Sequence, residues 1–262
     1  MTREIAKRPT PEEAELGRKR AELAALEATL AQRELDLATL QGELQAFERR
    51  YLRIVGLRLA QLDELQARIA EAEAARRPRD PGAEERASRA RAQAQESAEA
   101  AGQAREPGPE DARFEPSEGL RKLFREVAKQ VHPDLATDDA ERARRTRLMA
   151  EANDAYRAGD EARLQAILSR WEASPEAVKG EGVAAELVRV IRKIAQVEER
   201  LRAIDAELAR LKATDLYQLK AKVDEAEQQG RDLLADMAAA VDDDIAAART
   251  RLEALTAQRA ET

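Results

Sequence analysis

The chain has 262 residues, of which 37% are charged, 43% are hydrophobic and only 3% are aromatic. Alanine and leucine dominate the hydrophobic share, so the composition is typical of long helices or coiled coils and argues against a thick globular core. The 45 basic and 52 acidic residues are interspersed and give a formal charge of −7, which argues against the concentrated basic face of a nucleic-acid-binding protein.

The counts of cysteine and histidine exclude several kinds of covalent and metal site. The chain has no cysteine and one histidine, which excludes disulfides, cysteine-ligated metals and most zinc sites. Neither a signal peptide nor an apolar run long enough for a membrane span is visible. We therefore expect a soluble cytoplasmic protein that binds neither nucleic acid nor a membrane and that needs no metal or cofactor.

The first predicted element is a coiled-coil helix over residues 10–76, which a capping box at Thr10 starts. One apolar series recurs every seven residues at Leu16, Leu23, Leu30, Leu37, Leu44 and Tyr51. A second series, at Leu26, Leu40, Phe47 and Ile54, is interrupted only by Arg33. Beyond Ile54 this seam moves by one position to Val55, which predicts a local adjustment of the helical phase.

Residues 77–116 are predicted to form a linker. Pro78, Pro81 and Gly82 end the first helix, and the segment 83–105 consists almost entirely of Ala, Glu, Arg, Gln and Ser. Helix propensity there is high, but no large apolar side chain is present to dock the segment. It is therefore either a solvated helix or a flexible tether, of which the tether is slightly favoured.

A compact helical segment is predicted at 117–172. Ser117 is a candidate cap for a helix with one apolar face, and its four basic residues, Arg121, Lys122, Arg125 and Lys129, lie outside that face. The tripeptide His132-Pro133-Asp134 ends this helix, because proline clashes with the preceding turn and has no amide hydrogen. Two more apolar-faced helices follow, separated by Gly159.

The last third of the chain is predicted to be a second coiled coil. Residues 173–182 contain proline and glycine and form a linker, and residues 183–259 carry aliphatic side chains three or four positions apart. The register breaks near 212–215, either as a stutter or as a true turn. Because no segment alternates with the period of a strand, no sheet is predicted.

The segment 117–172 resembles the J domain of DnaJ-type co-chaperones. The family's pattern of a basic pair, an aromatic residue, an arginine and apolar residues before His-Pro-Asp is matched at 120–134. Its third-helix signature is matched by Asn-Asp-Ala-Tyr at 153–156, with Met149 in place of the usual phenylalanine. The family's short first helix is not visible, and either Phe114 or a neighbouring coiled coil is expected to cover the face it leaves.

The resemblance implies a function and a binding surface. In J domains the His-Pro-Asp loop and the basic helix dock on a DnaK-type heat-shock chaperone in its ATP state and promote hydrolysis of that ATP. The partner-binding residues carried over from the resemblance are His132, Pro133, Asp134, Arg121, Lys122, Arg125 and Lys129. The chain itself would then not be an enzyme, and its coiled coils would select a client, fix the place of action or mediate oligomerisation.

The same residues also have a purely structural interpretation. The alternative function is a structural coiled-coil scaffold with a degenerate J-like module, which the missing first helix favours. His132 would then merely cap the carbonyl groups at the end of its helix, and the basic residues would form an ordinary solvated face.

The expected architecture is all-α and elongated, with the J-like hairpin between two coiled-coil arms. A single leucine seam cannot stay in water, since each buried leucine is worth about 1.5–3 kcal/mol. The arms are therefore expected to pair, either antiparallel within one chain or between two chains as a homodimer. In the antiparallel case, residues near 20 and residues near 250 would be neighbours.

Overall fold

The computed structural model describes residues 10–77, 80–102, 114–136, 139–172 and 183–260, and the regular structure in these ranges is helical. The all-α prediction is confirmed. The helices are α1 (Pro11–Tyr51), α2 (Leu57–Arg76), α3 (Pro81–Gly102), α4 (Glu118–Val131), α5 (Asp139–Arg157), α6 (Glu161–Glu172), α7 (Val183–Lys212), α8 (Asp215–Gln228) and α9 (Leu233–Ala260). None of these helices is long and apolar enough to cross a membrane.

The backbone divides into two compact units, and α1 contributes to both. The first unit comprises Met1–Glu43 and Phe114–Ala213, and the second comprises Leu44–Arg113 and Thr214–Thr262. Helix α1 begins at Pro11, α2 ends at Arg76 and α4 begins at Glu118. Each unit combines segments that are distant along the chain, and the predicted division into domains stays a prediction.

The predicted phase change takes the form of a π-helical turn at Leu52–Gly56, which joins α1 to α2 without ending the helix. A π turn holds one more residue than the α-helical ladder and so absorbs a one-residue shift of the seam. Val55 in this turn is 1% exposed, and the seam therefore stays buried across the shift.

In the first unit, α1 and α7 pair in parallel. Arg20 on α1 binds Glu186 near the start of α7, and further along α1 Arg33 binds Asp205. Both helices therefore advance in the same direction. Their common seam is filled by Leu16, Leu30, Leu37, Val190, Ile194, Val197 and Ile204.

In the second unit, α2 and α9 also pair in parallel. Arg58 lies 3.0 Å from Asp242, and Arg251, later in α9, lies 2.6 Å from Glu73. The buried side chains between them are Leu62, Leu65, Ile69, Ile245 and Leu252.

These pairings correct the expected antiparallel arrangement of the arms. The N-terminal half of α1 has α7 as its partner, and α9 has α2, so residues near 20 and residues near 250 each have a partner other than the expected one. The physical reason lies in the connection, because α4, α5 and α6 return the chain to the beginning of α1 before α7 starts. Association between two chains stays a prediction.

The break near 212–215 is a true turn. The Thr214 hydroxyl caps α8 by accepting a hydrogen bond from the Tyr217 amide. A second turn, which the sequence analysis did not predict, separates α8 from α9, and there Gly230 adopts φ +72°, a conformation that costs glycine little.

Helix α3 docks on α2, so the favoured interpretation of this segment as a tether is wrong. Arg91 of α3 binds Glu64 and Glu71 of α2 at 2.6 and 2.8 Å. The buried side chains of α3 are alanines, at Ala83, Ala87, Ala94 and Ala101. Small side chains at a contact let two helices approach closely, so a helix without leucine can still dock. Residues 103–113 and the second predicted linker, 173–182, lie outside the described residues.

Helices α4, α5 and α6 enclose one apolar core, which α1 completes. Phe124 and Tyr156 are fully buried in it, with ring centroids 4.7 Å apart. The side chains that α1 contributes are Ala31, Leu35 and Ala38. Thr39 of α1 shares a 2.8 Å hydrogen bond with the Tyr156 hydroxyl, and Phe114 packs edge-on against the same ring. Phe114 and α1, the two candidates expected to cover this face of the hairpin, therefore both pack on it.

The contact between Phe114 and α1 predicts an unusual response to alanine. A Cβ added at Gly42 would lie 2.7 Å from the Phe114 ring, so Gly42→Ala is expected to destabilise the first unit by about 1–3 kcal/mol despite the higher helix propensity of alanine. Gly17→Ala is the matched control, since nothing lies within 4 Å of its added Cβ, and it should stabilise by about 0.5–1 kcal/mol. Urea unfolding measures both variants, and equal effects would contradict the contact.

Candidate functional site

The His-Pro-Asp tripeptide lies at the corner between α4 and α5. The Ser117 hydroxyl caps the start of α4 by accepting a 2.9 Å hydrogen bond from the Leu120 amide. At the other end, His132 leaves the helical conformation with ψ 132°, and a short 3-10 turn covers Pro133–Leu135. Leu135 is buried in the seam between α1 and α7, and it thereby anchors the corner to both helices.

His132 is buried at this corner, with 1% of its surface exposed. Its Nδ1 accepts a 3.2 Å hydrogen bond from the Asp134 amide, and its Nε2 lies 2.8 Å from Glu34 Oε1. Because an amide only donates, Nδ1 carries no hydrogen in this arrangement, and Nε2 donates to the carboxylate. The histidine thus bonds the turn through Nδ1 and α1 through Nε2.

Glu34 of α1 is a buried carboxylate with two partners. Arg200 of α7 contacts the same Oε1 with Nη2 at 2.7 Å and Nε at 2.9 Å. Burial alone would raise the pKa of Glu34, but the hydrogen bond from His132 and the charge of Arg200 outweigh it and hold the pKa below its ordinary value. The carboxylate is therefore ionised at neutral pH, with its charge paired.

Arg145 of α5 closes the end of α4. Its Nη1 donates to the carbonyl oxygens of Gln130 at 2.9 Å and His132 at 3.3 Å, and its Nη2 lies 2.7 Å from Glu141. The last carbonyl groups of a helix have no partner within the helix, and the guanidinium supplies one. Its other surface lies over the Trp171 ring, 4.4 Å from the centroid.

The buried polar side chains of the described ranges are concentrated here. Glu34, His132 and Arg145 are the charged or polar residues that are buried in those ranges, and all three belong to this corner. Buried charges are tolerated only with close partners. Each of the three has them, so the corner is a fully bonded polar cluster inside an apolar fold. His132 is therefore a core residue in this structure, and its expected role in partner binding stays a prediction.

The remaining tripeptide residues reach solvent. Pro133 is half-buried, and the Asp134 side chain is 28% exposed. Asp134 borders a cleft of about 260 Å³ together with Arg142 of α5 and with Glu199 and Arg200 of α7.

The four basic residues of α4 divide between two environments. Lys122 and Lys129 are exposed, whereas Arg121 and Arg125 are half-buried beside α1. The two arginines line a cleft of about 390 Å³ against α1, and Arg125 donates to Gln32 at 3.3 Å. Of the four basic residues predicted to bind a partner, Lys122 and Lys129 are therefore the exposed ones.

Sequence reasoning missed Glu34, Arg200 and Arg145. One signal was present in the N-terminal helix, where the second apolar series is interrupted at Arg33, one position before Glu34. A polar residue within an apolar seam indicates that a polar contact is made at that position of the helix. For Arg200 and Arg145 no such signal exists, because arginine is common on the solvated faces of this chain.

Comparison with protein-family models, curated proteins and solved structures found no match for this chain. The resemblance to J domains therefore stands on the residues of α4, the tripeptide and α5. In the ranges that the structure describes, no group of three or more histidine, aspartate or glutamate side chains is arranged to hold a metal ion.

The lowered pKa of Glu34 predicts a pH-dependent contribution to stability. The ionised carboxylate stabilises the fold above the ordinary glutamate value of 4.5, and this stabilisation is lost as the pH falls through the lower folded value. Glu34→Gln is therefore expected to cost about 1–3 kcal/mol near pH 6 and distinctly less near pH 3, below the ordinary glutamate value.

Urea unfolding at the two pH values measures the difference between wild type and variant. Glu22→Gln, which changes an exposed glutamate of the same helix, should alter stability by less than about 0.5 kcal/mol at both. A Glu34→Gln effect that did not change with pH would show that the carboxylate charge contributes nothing.

Proposed function

We propose that the protein is a cytoplasmic J-domain-type co-chaperone that docks on a DnaK-type chaperone and stimulates its ATP hydrolysis. The observation that carries this proposal is the hairpin of α4 and α5. Its corner consists of His132, Pro133 and Asp134, and its core contains the aromatic and alanine positions by which the sequence resembles the family.

The geometry of the corner supports docking in two ways. Arg145 bonds the last carbonyl groups of α4, so the tripeptide is held in one conformation before any partner arrives. Lys122 and Lys129 present positive charge along α4, and Asp134 presents negative charge beyond its end. Charges of this kind steer a complementary partner and mainly set the association rate.

In this proposal the chemistry belongs to the partner. The co-chaperone binds one state of the ATPase better than the other and shifts the equilibrium by that difference in affinity. Neither a nucleophile nor a general base is required from this chain.

Asp134→Asn tests the proposal with the least disturbance of the fold, because the Asp134 side chain is partly exposed whereas His132 is buried. We expect wild type to accelerate single-turnover ATP hydrolysis by a DnaK-type chaperone and the variant to lose at least about nine tenths of that acceleration, equivalent to about 1.4 kcal/mol. Glu199→Gln, on the opposite wall of the same cleft, is the control and should retain it. Equal stimulation by Asp134→Asn and wild type, with equal melting curves, would contradict the proposal.

The exposed lysines give a second test. Lys122→Glu with Lys129→Glu should weaken chaperone binding, and wild-type binding should weaken with salt, because exposed charges are screened over about 8 Å at physiological ionic strength. Arg121 and Arg125 are unsuitable here, since they also pack on α1.

The matched control reverses two exposed arginines of α5 and α6, Arg147→Glu with Arg163→Glu, and keeps the change in net charge the same. Binding measured by titration calorimetry should fall for the lysine variant only. An identical loss in both variants would assign the effect to net charge instead of to the face of α4.

The second candidate function is a structural scaffold with a J-like module that no longer engages a chaperone. The burial of His132 against Glu34 favours it, because a residue inside the fold is not available to a partner. The ATPase measurement separates the two functions, since a scaffold would leave hydrolysis at its basal rate.

A further inference from the structure

We propose that Glu34 and Arg200 form a latch that keeps the co-chaperone site closed until α7 moves away from α1. This inference rests on the proposed function, in which His132 must reach the chaperone. The inference is based on one hydrogen-bonded chain, in which the Glu34 carboxylate of α1 binds both the His132 imidazole and the Arg200 guanidinium of α7.

The latch occupies the ring atom that a partner would need. Nδ1 is already bonded to the turn by the Asp134 amide, so Nε2 is the ring nitrogen that can engage a partner, and Glu34 occupies it. With 1% of the residue exposed, no protein surface can contact the imidazole in this state. Docking therefore requires Glu34 to leave.

The latch is linked to the pairing of α1 with α7. Arg200 binds the same Glu34 oxygen, Oε1, as the histidine does, and Leu135 of the corner lies in the same α1–α7 seam. If α7 moves away, the buried carboxylate loses its counter-charge and Leu135 loses its apolar cover together. A buried charge without its partner is strongly disfavoured, so separation of the two helices releases the corner as one event.

The sole histidine gives a direct readout of the latch. Modification of His132 by diethylpyrocarbonate, followed by absorbance, should be slow in wild type and at least about tenfold faster in Glu34→Ala and in Arg200→Ala, because each removes a charged hydrogen bond. Arg33→Ala and Asp205→Ala are matched controls, since they break another ion pair between the same two helices and should change the rate less than about twofold.

Chaperone stimulation tests the consequence. Glu34→Ala and Arg200→Ala should raise the acceleration of single-turnover ATP hydrolysis above that of wild type, whereas the two control variants should not. Arg200 is 39% exposed in its side chain, so Arg200→Ala gives a folded variant if Glu34→Ala unfolds the corner.

A reversible lock provides the converse experiment. Arg33→Cys with Asp205→Cys in this cysteine-free chain lets a short, thiol-cleavable cross-linker join α1 to α7. Stimulation by the cross-linked protein should fall below that of the same protein before cross-linking, and reductant should restore it.

The outcomes separate the latch from the function. Rapid modification of His132 in wild type, or a wild type that stimulates as strongly as the latch variants and is unaffected by the lock, would overturn the latch and leave the proposed function standing. Absence of stimulation by every variant, with His132 freely modified in Glu34→Ala and Arg200→Ala, would overturn the proposed function and the regulatory role of the latch with it.

Discussion

The two-sided burial of α1 is the constraint on which the first unit depends. Leu30 and Leu37 face α7, whereas Leu35 and its neighbouring alanines close the core of the hairpin. At about 100° per residue, Glu34 falls on the strip between these two faces. Any side chain at that position meets both the corner of the hairpin and α7, and a carboxylate is held there by a donor from each.

The polar corner contributes more to uniqueness than to stability. Desolvation of a buried ion pair offsets much of its attraction, but removal of one member leaves the other as an uncompensated charge. Apolar surfaces tolerate sliding, and a hairpin shifted by one turn along α1 would still bury leucine and alanine. It would also leave Glu34 without His132. The cluster of Glu34, His132 and Arg200 is thereby bonded only when the hairpin sits in its observed register along α1.

Local features of the fold could be predicted from sequence, and long-range ones could not. The ends of the first helix, the cap at Ser117, the phase change at Val55 and the turn at Thr214 each follow from a few adjacent residues. Partner choice does not, because heptads show that a helix has an apolar face without showing which helix covers it. Hence the parallel pairing was missed, and so was the latch, whose Glu34 and Arg200 lie 166 positions apart.

At the π turn of Leu52–Gly56 the apolar seam stays continuous, whereas the regular α-helical hydrogen-bond ladder is interrupted. Loss of one residue there would close the backbone ladder into an uninterrupted α-helix and leave the helix that follows facing as it does now, because the π turn accommodates one extra residue. Loss of one residue between this turn and Leu62 would instead rotate Leu62, Leu65 and Ile69 by about 100° away from the partners they have in α9. The helix therefore has one place where a single-residue deletion keeps its apolar seam, and the same deletion one turn later breaks that seam.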